Sequence, residues 1–344
     1  MTEYLHRVKF LIKHLLAYCL YYTGLLLAIK TIKFRNRAIV LMYHRILPSA
    51  DRVHSFSHSA IMVEPVNFER HITFLKHHFN ILSSEEFSQR FSNRIAFDNA
   101  SCLITFDDGW QDNYQYAFPI LKTHNVPALI FPATDYTGSG MLFWQEAMGH
   151  GFYQLLNLET DDARQLLREH GIDTLKEQPA ELQIDRIRQY VRDLKSLSYE
   201  QIFEIINHQE SILGNIDFGK IDRYLDWEQI VEMHKAGIEF GSHACSHRIL
   251  TRLENDEISA ELKRSRQLLA DAINSDIKTI AYPNGNFDDR LGELTLQAGY
   301  EIGFGTEFGS VSHIDNAFNI KRINVNDMTS SNNPIMLATI LGLF

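Results

Sequence analysis

The chain has 344 residues, 45% of them hydrophobic and 22% charged, with a formal net charge of −10. That balance can build a sizeable core and excludes wholesale disorder, and the acidic excess excludes a general nucleic-acid binder, which needs a basic face. Three scattered cysteines exclude a disulfide framework; Cys19 and Cys102 stand in apolar runs and read as buried free thiols.

Residues 1–37 form a compositional outlier. Leu15–Ile29 (LLAYCLYYTGLLLAI) is uncharged, preceded by Arg7, Lys9 and Lys13 and followed by Lys30, Lys33, Arg35 and Arg37. A spanning helix needs about 20 apolar residues and at least about 17, so the run is short, and no small-residue cleavage site of a signal peptide follows it. It reads as a helix lying in the membrane interface, or a short anchor, with its cations on anionic headgroups. A buried first helix is the plain alternative. If the run spans, the heavier positive cluster after it leaves the following domain on the cytoplasmic side.

From Ala38 onward, short apolar runs predict buried strands at Ala38–Tyr43, Cys102–Phe106, Ala128–Phe131, Ile238–Gly241, Lys278–Tyr282 and Ile320–Val325. Helical spacing lies between them. Phe68–His78 brings Phe68, Ile72, Leu75 and Phe79 to one face, and Ser83 with Glu86 forms a capping box for the next helix. Asp226 caps WEQIVEMHKAG, which Gly237 ends. Glu254 to Asn274 is a long helix with Ile258, Leu262, Leu268 and Leu269 inward. The alternation predicts an α/β fold with a parallel sheet or barrel. Residues from Gly149 to about Arg223 break the rhythm and read as a helical insertion, a lid or partner surface within a catalytic domain of residues 38–344.

Candidate chemistry gathers where the strands end. Thr105-Phe106-Asp107-Asp108-Gly109 closes an apolar strand, and adjacent buried carboxylates are costly without a cation. Their side chains alternate and can take separate roles; a surface turn is the alternative. Gly241-Ser242-His243-Ala244-Cys245-Ser246-His247 follows another strand. Histidines four apart share one face of a helical turn, within reach of one metal ion, and leave Cys245 out of the ligand set. With an aspartate from another strand end they make a two-histidine, one-carboxylate set with open positions. Ala281-Tyr282-Pro283-Asn284-Gly285 is a turn able to aim a backbone N–H as an oxyanion donor. His44, in Met42-Tyr43-His44-Arg45, stands at the end of the first strand and is either a loop histidine or part of the site.

TFDDG, SHACSH and the strand-end YPNG together resemble the polysaccharide deacetylases of the NodB-homology family (carbohydrate esterase family 4), over roughly Ala38 to Val325. The resemblance implies a distorted (β/α) barrel with fewer than eight strands and a site at the strands' C-terminal ends, in line with barrel enzymes generally. It implies Asp107 as catalytic base, Asp108, His243 and His247 as ligands of a divalent metal (zinc, with cobalt or nickel as alternatives), and the Asn284 N–H as oxyanion donor. Two departures stand out. Ala281 replaces the arginine that pairs with the base, and no Leu-x-His follows Gly285 to supply an acid. A permuted arrangement, as in biofilm and exopolysaccharide-type deacetylases, assigns the acid to His44, and Arg322 on the last strand is expected to reach the base. Tyr282 and Trp110 are further candidates for substrate contact, with Phe143 and Trp144 as sugar-stacking or core residues.

The expected activity is hydrolysis of N-acetyl groups from amino sugars of a polysaccharide or exopolysaccharide. Two alternatives stand beside it: deacetylation or deformylation of a lipid-linked sugar at the membrane surface, and a non-catalytic carbohydrate-binding relative.

Overall fold

The computed structural model describes residues 2–98 and 100–343. The strands, in chain order, are β1 (Ala38–Tyr43), β2 (Arg45–Ile46), β3 (Met62–Val63), β4 (Asn80–Leu82), β5 (Ser101–Asp108), β6 (Leu129–Pro132), β7 (Glu239–Phe240), β8 (Thr279–Ala281), β9 (Ile302–Phe304), β10 (Ser310–Val311) and β11 (Ile323–Asn324). All six residues of β1 are buried because both faces of a parallel sheet are covered, which is why its sequence is a continuous apolar run.

The fold is mixed α/β, with helices around a sheet that curls into a barrel-like ring. β1 pairs in parallel with β5 from Ala38↔Ser101 to Tyr43↔Phe106, β5 with β6, and β6 with β7. A bridge between Ser242 and Ile280 leads to β8, which pairs with β9. A second bridge, Phe304↔Ile320, leads to β11, which lies parallel to β1 and completes the circuit. Two short strands fill out edges: β4 pairs with the first half of β5, and β10 runs antiparallel to the start of β1.

Side chains sort by the two-residue period of a strand. Val40, Leu103, Leu129, Phe131, Ile302 and Phe304 share one buried cluster, inside the ring. Their neighbours Ile39, Leu41, Cys102, Ile104 and Ile130 lie in the cluster beneath the surrounding helices. The period carries Asp107 to the inner face above Leu103 and Thr105.

Several expectations shift by a few residues. The helix expected from Phe68 begins at Pro65, whose fixed φ suits a first turn. On the helix Asn255–Ile273, Ser265 takes an inward position and Leu268 is only half-buried. β4 and β9, three residues each, lie outside the expected strands. Gly149–Arg223 contains helices and no β-strand among the described residues; the helices Trp144–Leu156, Asp161–Glu169, Ala180–Asp193 and Tyr199–Leu213 share a buried cluster that also takes in Trp110 and Phe143.

The N-terminal segment forms two helices, Thr2–Tyr22 and Leu25–Lys33, broken at Gly24, whose φ is 78°. Among the described residues no single helix is long and apolar enough to cross a membrane; Leu11–Tyr22 and Leu25–Lys33 meet that test only as a pair bent by 83°. Ala17 and Leu26 are buried against the domain, whereas Leu11, Ile12, Leu15, Leu16 and Ile32 are exposed. Two of the cations that follow the apolar run make contacts within the chain: Lys30 Nζ donates to the His78 carbonyl at 2.5 Å and Lys33 Nζ to that of Leu341 at 2.6 Å. Cys19, expected inside, is exposed, because the helix turns that face outward.

One buried ionic cluster ties the helical region to the ring. Arg45, fully buried, donates Nε–H to Asp112 Oδ2 at 2.8 Å and Nη1–H to Asp222, Ser55 and Ser57. Its guanidinium lies 4.1 Å from the centre of the Trp110 ring. Burial works against ionisation of Asp222, but Arg45 and His150 outweigh it and hold its carboxyl below the usual range. The stabilisation from this depressed carboxylate is therefore present above the ordinary aspartate pKa and lost as pH falls through its folded value. Replacing Arg45 by alanine leaves Asp112 buried without its cation and Asp222 with His150 alone, so urea unfolding should report a loss of about 3–5 kcal/mol; a change within about 0.5 kcal/mol, the range of an inconsequential surface substitution, would show the cluster to be dispensable.

Candidate active site and metal centre

β5 delivers two carboxylates in different directions. Asp107 points into the ring, where Arg322, just before β11, grips it with two parallel bonds: Nη1 to Oδ1 at 2.7 Å and Nη2 to Oδ2 at 2.6 Å. The guanidinium is itself fixed. Its Nε donates to the Gly305 carbonyl at 2.7 Å, and it sits about 6 Å from the Phe131 and Phe304 ring centres. Burial pushes the Asp107 pKa up, but the Arg322 charge and hydrogen bonds outweigh it and hold the carboxyl below its ordinary value. The arginine absent at Ala281 is thus matched in space by one from the far end of the chain.

Asp108 turns the other way because its backbone is left-handed, with φ at 72°. An aspartate tolerates that region at a cost of about 1–3 kcal/mol, which the surrounding contacts must offset. Gly109 follows at φ 73°, and a Cβ there would lie 2.7 Å from Pro132 Cβ, so the motif's glycine is required by both conformation and space. The Trp110 indole N–H then donates to Asp108 Oδ2 at 2.9 Å. This leaves Oδ1 facing His243 Nε2 and His247 Nε2, each 3.3 Å away.

The histidines do not share a helical turn. His243 is extended from β7, and the loop after it contains left-handed residues at Ala244 (φ 59°) and His247 (φ 56°). Glu261 clasps this loop by accepting from the N–H groups of Cys245 and Ser246 and from the Ser246 hydroxyl. The Cys245 thiol turns away from the histidines toward the Glu261 carbonyl, and burial raises its pKa to about 11. His243 Nδ1 lies 2.7 Å from the Ala281 carbonyl, which accepts only if Nδ1 carries the proton; Nε2 is then the free lone pair. His247 is held by Phe143, whose ring stacks on it at 3.8 Å and 3°.

One ligand atom from each of Asp108, His243 and His247 can be chosen so that all lie within 4.8 Å of one another. A carboxylate oxygen and two imidazole nitrogens converging on one point, with the fixed tautomer and orientation just described, fit a tetrahedral divalent metal with an open position.

These groups floor a cavity of about 670 Å³ that His44 and Asn284 also line. The Asn113 amide holds the His44 carbonyl at 2.7 Å, and His44 Nδ1 is buried with no hydrogen-bond partner among the described residues. Asn284 adopts φ 60° in its turn and donates its side-chain amide to Asn286.

Two expected substrate contacts, Trp110 and Tyr282, line the cavity but offer it little surface. Trp110 and Tyr282 are each 1% exposed. Trp110 serves to orient Asp108, and the Tyr282 hydroxyl is directed to Thr295 in the core at 3.4 Å. Phe143 likewise holds His247 rather than offering a free face, while Trp144 keeps part of its surface on the cavity. Sequence reading missed Arg45 and Glu261, whose only signals were a cation beside an apolar strand and a glutamate on a helix.

With the geometry in hand, comparison with known proteins is direct. The polysaccharide deacetylase family profile matches residues 95–303. The chain is 23% identical over 307 residues to the poly-beta-1,6-N-acetyl-D-glucosamine N-deacetylase of Staphylococcus aureus (strain MRSA252), covering 87% of this chain and 82% of that one. Among solved structures, the Streptococcus pyogenes deacetylase PplD in complex with acetate aligns with a TM-score of 0.59 at 20% identity, covering 88% of this chain and 98% of that one. IcaB from Ammonifex degensii aligns with a TM-score of 0.58 at 17% identity, covering 89% and 97%. The structural likenesses speak for the fold, and the profile match spans more than half of the residues: the chain belongs to the polysaccharide deacetylase family.

Proposed function

We propose that this chain is a metal-dependent hydrolase that removes N-acetyl groups from the amino sugars of a polysaccharide. The observation that carries the reading is the pairing of a carboxylate held ionised by Arg322 with a second carboxylate converging on two histidines on the floor of one cavity. The similarity to a poly-N-acetylglucosamine N-deacetylase supports the choice of acyl group and sugar.

Asp108, His243 and His247 would hold the ion, zinc being the first expectation, which when bound polarises a water and the acyl carbonyl. Asp107, ionised and fixed by Arg322, accepts the proton of the attacking water. The Asn284 backbone N–H is assigned to the oxyanion of the tetrahedral intermediate. His44, lining the same cavity, donates a proton to the departing sugar amine as acetate leaves. Trp110, Phe143 and the Ala281 carbonyl act through the ligands by fixing their orientation.

The exposed Leu11, Ile12, Leu15 and Leu16, with the neighbouring N-terminal cations, support a second element of the proposal, that the N-terminal helix lies in a membrane interface.

Chelation should abolish acetate release from N-acetylglucosamine oligomers, and zinc or cobalt should restore it; full activity after chelation would refute metal dependence. Asp107→Asn should remove turnover yet retain metal by elemental analysis, whereas His243→Ala should lose both; a metal-replete His243→Ala would refute the ligand assignment. Arg322→Ala should lower kcat by about 10²-fold or more with metal retained, since the base loses its charge partner, and a rate near that of the unaltered enzyme would show that Asp107 does not depend on it. Co-sedimentation with anionic vesicles should be weakened by Leu15→Glu/Leu16→Glu, and equal sedimentation of both proteins would exclude the interface role.

A further inference from the structure

The outer wall of the cavity carries charge that the proposed chemistry does not use. Arg188, Arg192 and Lys195 reach it from the helical region, and Arg248 and Arg252 from the segment just after His247. Against these cations the wall beyond the floor offers one ionised carboxylate, Glu200; buried Glu146 has its pKa raised to about 8, chiefly by burial. The clustering is local, because the chain as a whole carries a formal charge of −10.

Some of these cations are already occupied. Arg188 binds Asp185 at 2.7 Å and backbone carbonyls of Arg52 and Ser55. Arg248 pairs with Glu257 at 3.1 Å and lies 5.1 Å from the Tyr199 ring centre. Arg192 Nη1 lies 3.2 Å from His58 Nε2, and its Nε makes a longer 3.7 Å contact with Asp193. Lys195 and Arg252 are exposed and have no ion-pair partner among the described residues. The field they create registers on His58 between them, whose pKa is lowered by burial and then by Arg192, Lys195 and Arg188.

A neutral N-acetylated polymer gives these groups hydrogen-bond acceptors but no counter-charge, and its deacetylated product, an ammonium sugar, is repelled by them. Resting on the deacetylase reading above, we propose that the substrate is an anionic glycan, carrying a phosphate or carboxylate near the reacting amino sugar, and that Lys195 and Arg252 with Arg192 select for that group. Cations held at the rim of a desolvated cleft recognise oxyanions through charge-assisted hydrogen bonds.

The test uses the full chain and three tetrasaccharides: a neutral N-acetylglucosamine tetramer, its reducing-end 1-phosphate, and a tetramer alternating N-acetylglucosamine with glucuronate. Binding is read by calorimetry, and acetate release separately. At about 50 mM salt at least one anionic tetramer should bind roughly three- to tenfold more tightly than the neutral one, and the difference should fade at about 500 mM. Preference for the phosphate arm alone identifies a phosphate ester, for the glucuronate arm alone a carboxylate. The exposed double variant Lys195→Gln/Arg252→Gln should lose the preference and bind the neutral tetramer as before. Equal binding of all three at low salt, or a preference that survives in the double variant, overturns the inference. Anionic preference without acetate release from any tetramer would instead count against the deacetylase reading and leave the charge recognition standing.

Discussion

The ion pair between Arg322 and Asp107 joins residues 215 positions apart and sits at the centre of the ring. A carboxylate buried among Phe131, Phe304 and Leu103 would take up a proton if left alone, because burial disfavours its charge. A planar guanidinium matches both oxygens at once and keeps the charge in place. The pair also constrains the fold. It fixes the approach to β11 against β5, and β11 completes the circuit by pairing with β1. An ionised buried carboxylate and a closed ring are therefore both served by one contact.

Around that pair the site is held by non-regular backbone. Asp108, Gly109, Ala244, His247 and Asn284 all adopt positive φ, and all lie where strands end. Such conformations persist only where neighbours over-determine them, and here the neighbours are identifiable: the Trp110 indole, the Phe143 ring, the Ala281 carbonyl and the Glu261 carboxylate. Each fixes one torsion of a proposed ligand or its loop, so the ligand atoms converge without relying on mobile surface chains.

The helical region is coupled to this arrangement from below and from the side. Arg45 lies beneath the Trp110 ring and binds Asp222 beyond the last of the helices, so the indole that orients Asp108 is itself supported by a buried charge cluster. The same helices supply Arg192 and Lys195 to the cavity wall. One region thus bears on both the orientation of Asp108 and the charge of the cavity wall.

The sequence alone determined where chemistry gathers. Strand-end TFDDG, SHACSH and YPNG, with His44 after β1, are local patterns, and a strand's period and its end are local properties that a few residues can declare. The buried strands were legible for the same reason, since a run covered on both faces is apolar throughout. Tertiary structure decided what each neighbour does. Nothing local marks Trp110 as the donor to Asp108, or shows that Lys30 and Lys33 donate to the backbone carbonyls of His78 and Leu341. The spacing of His243 and His247 suggested a helical turn, whereas the segment is a loop with left-handed residues, held by Glu261 from the following helix. Arg322 could be nominated from its strand, and its two-bond grip on Asp107 is made possible by ring closure, which brings the last strand beside the first.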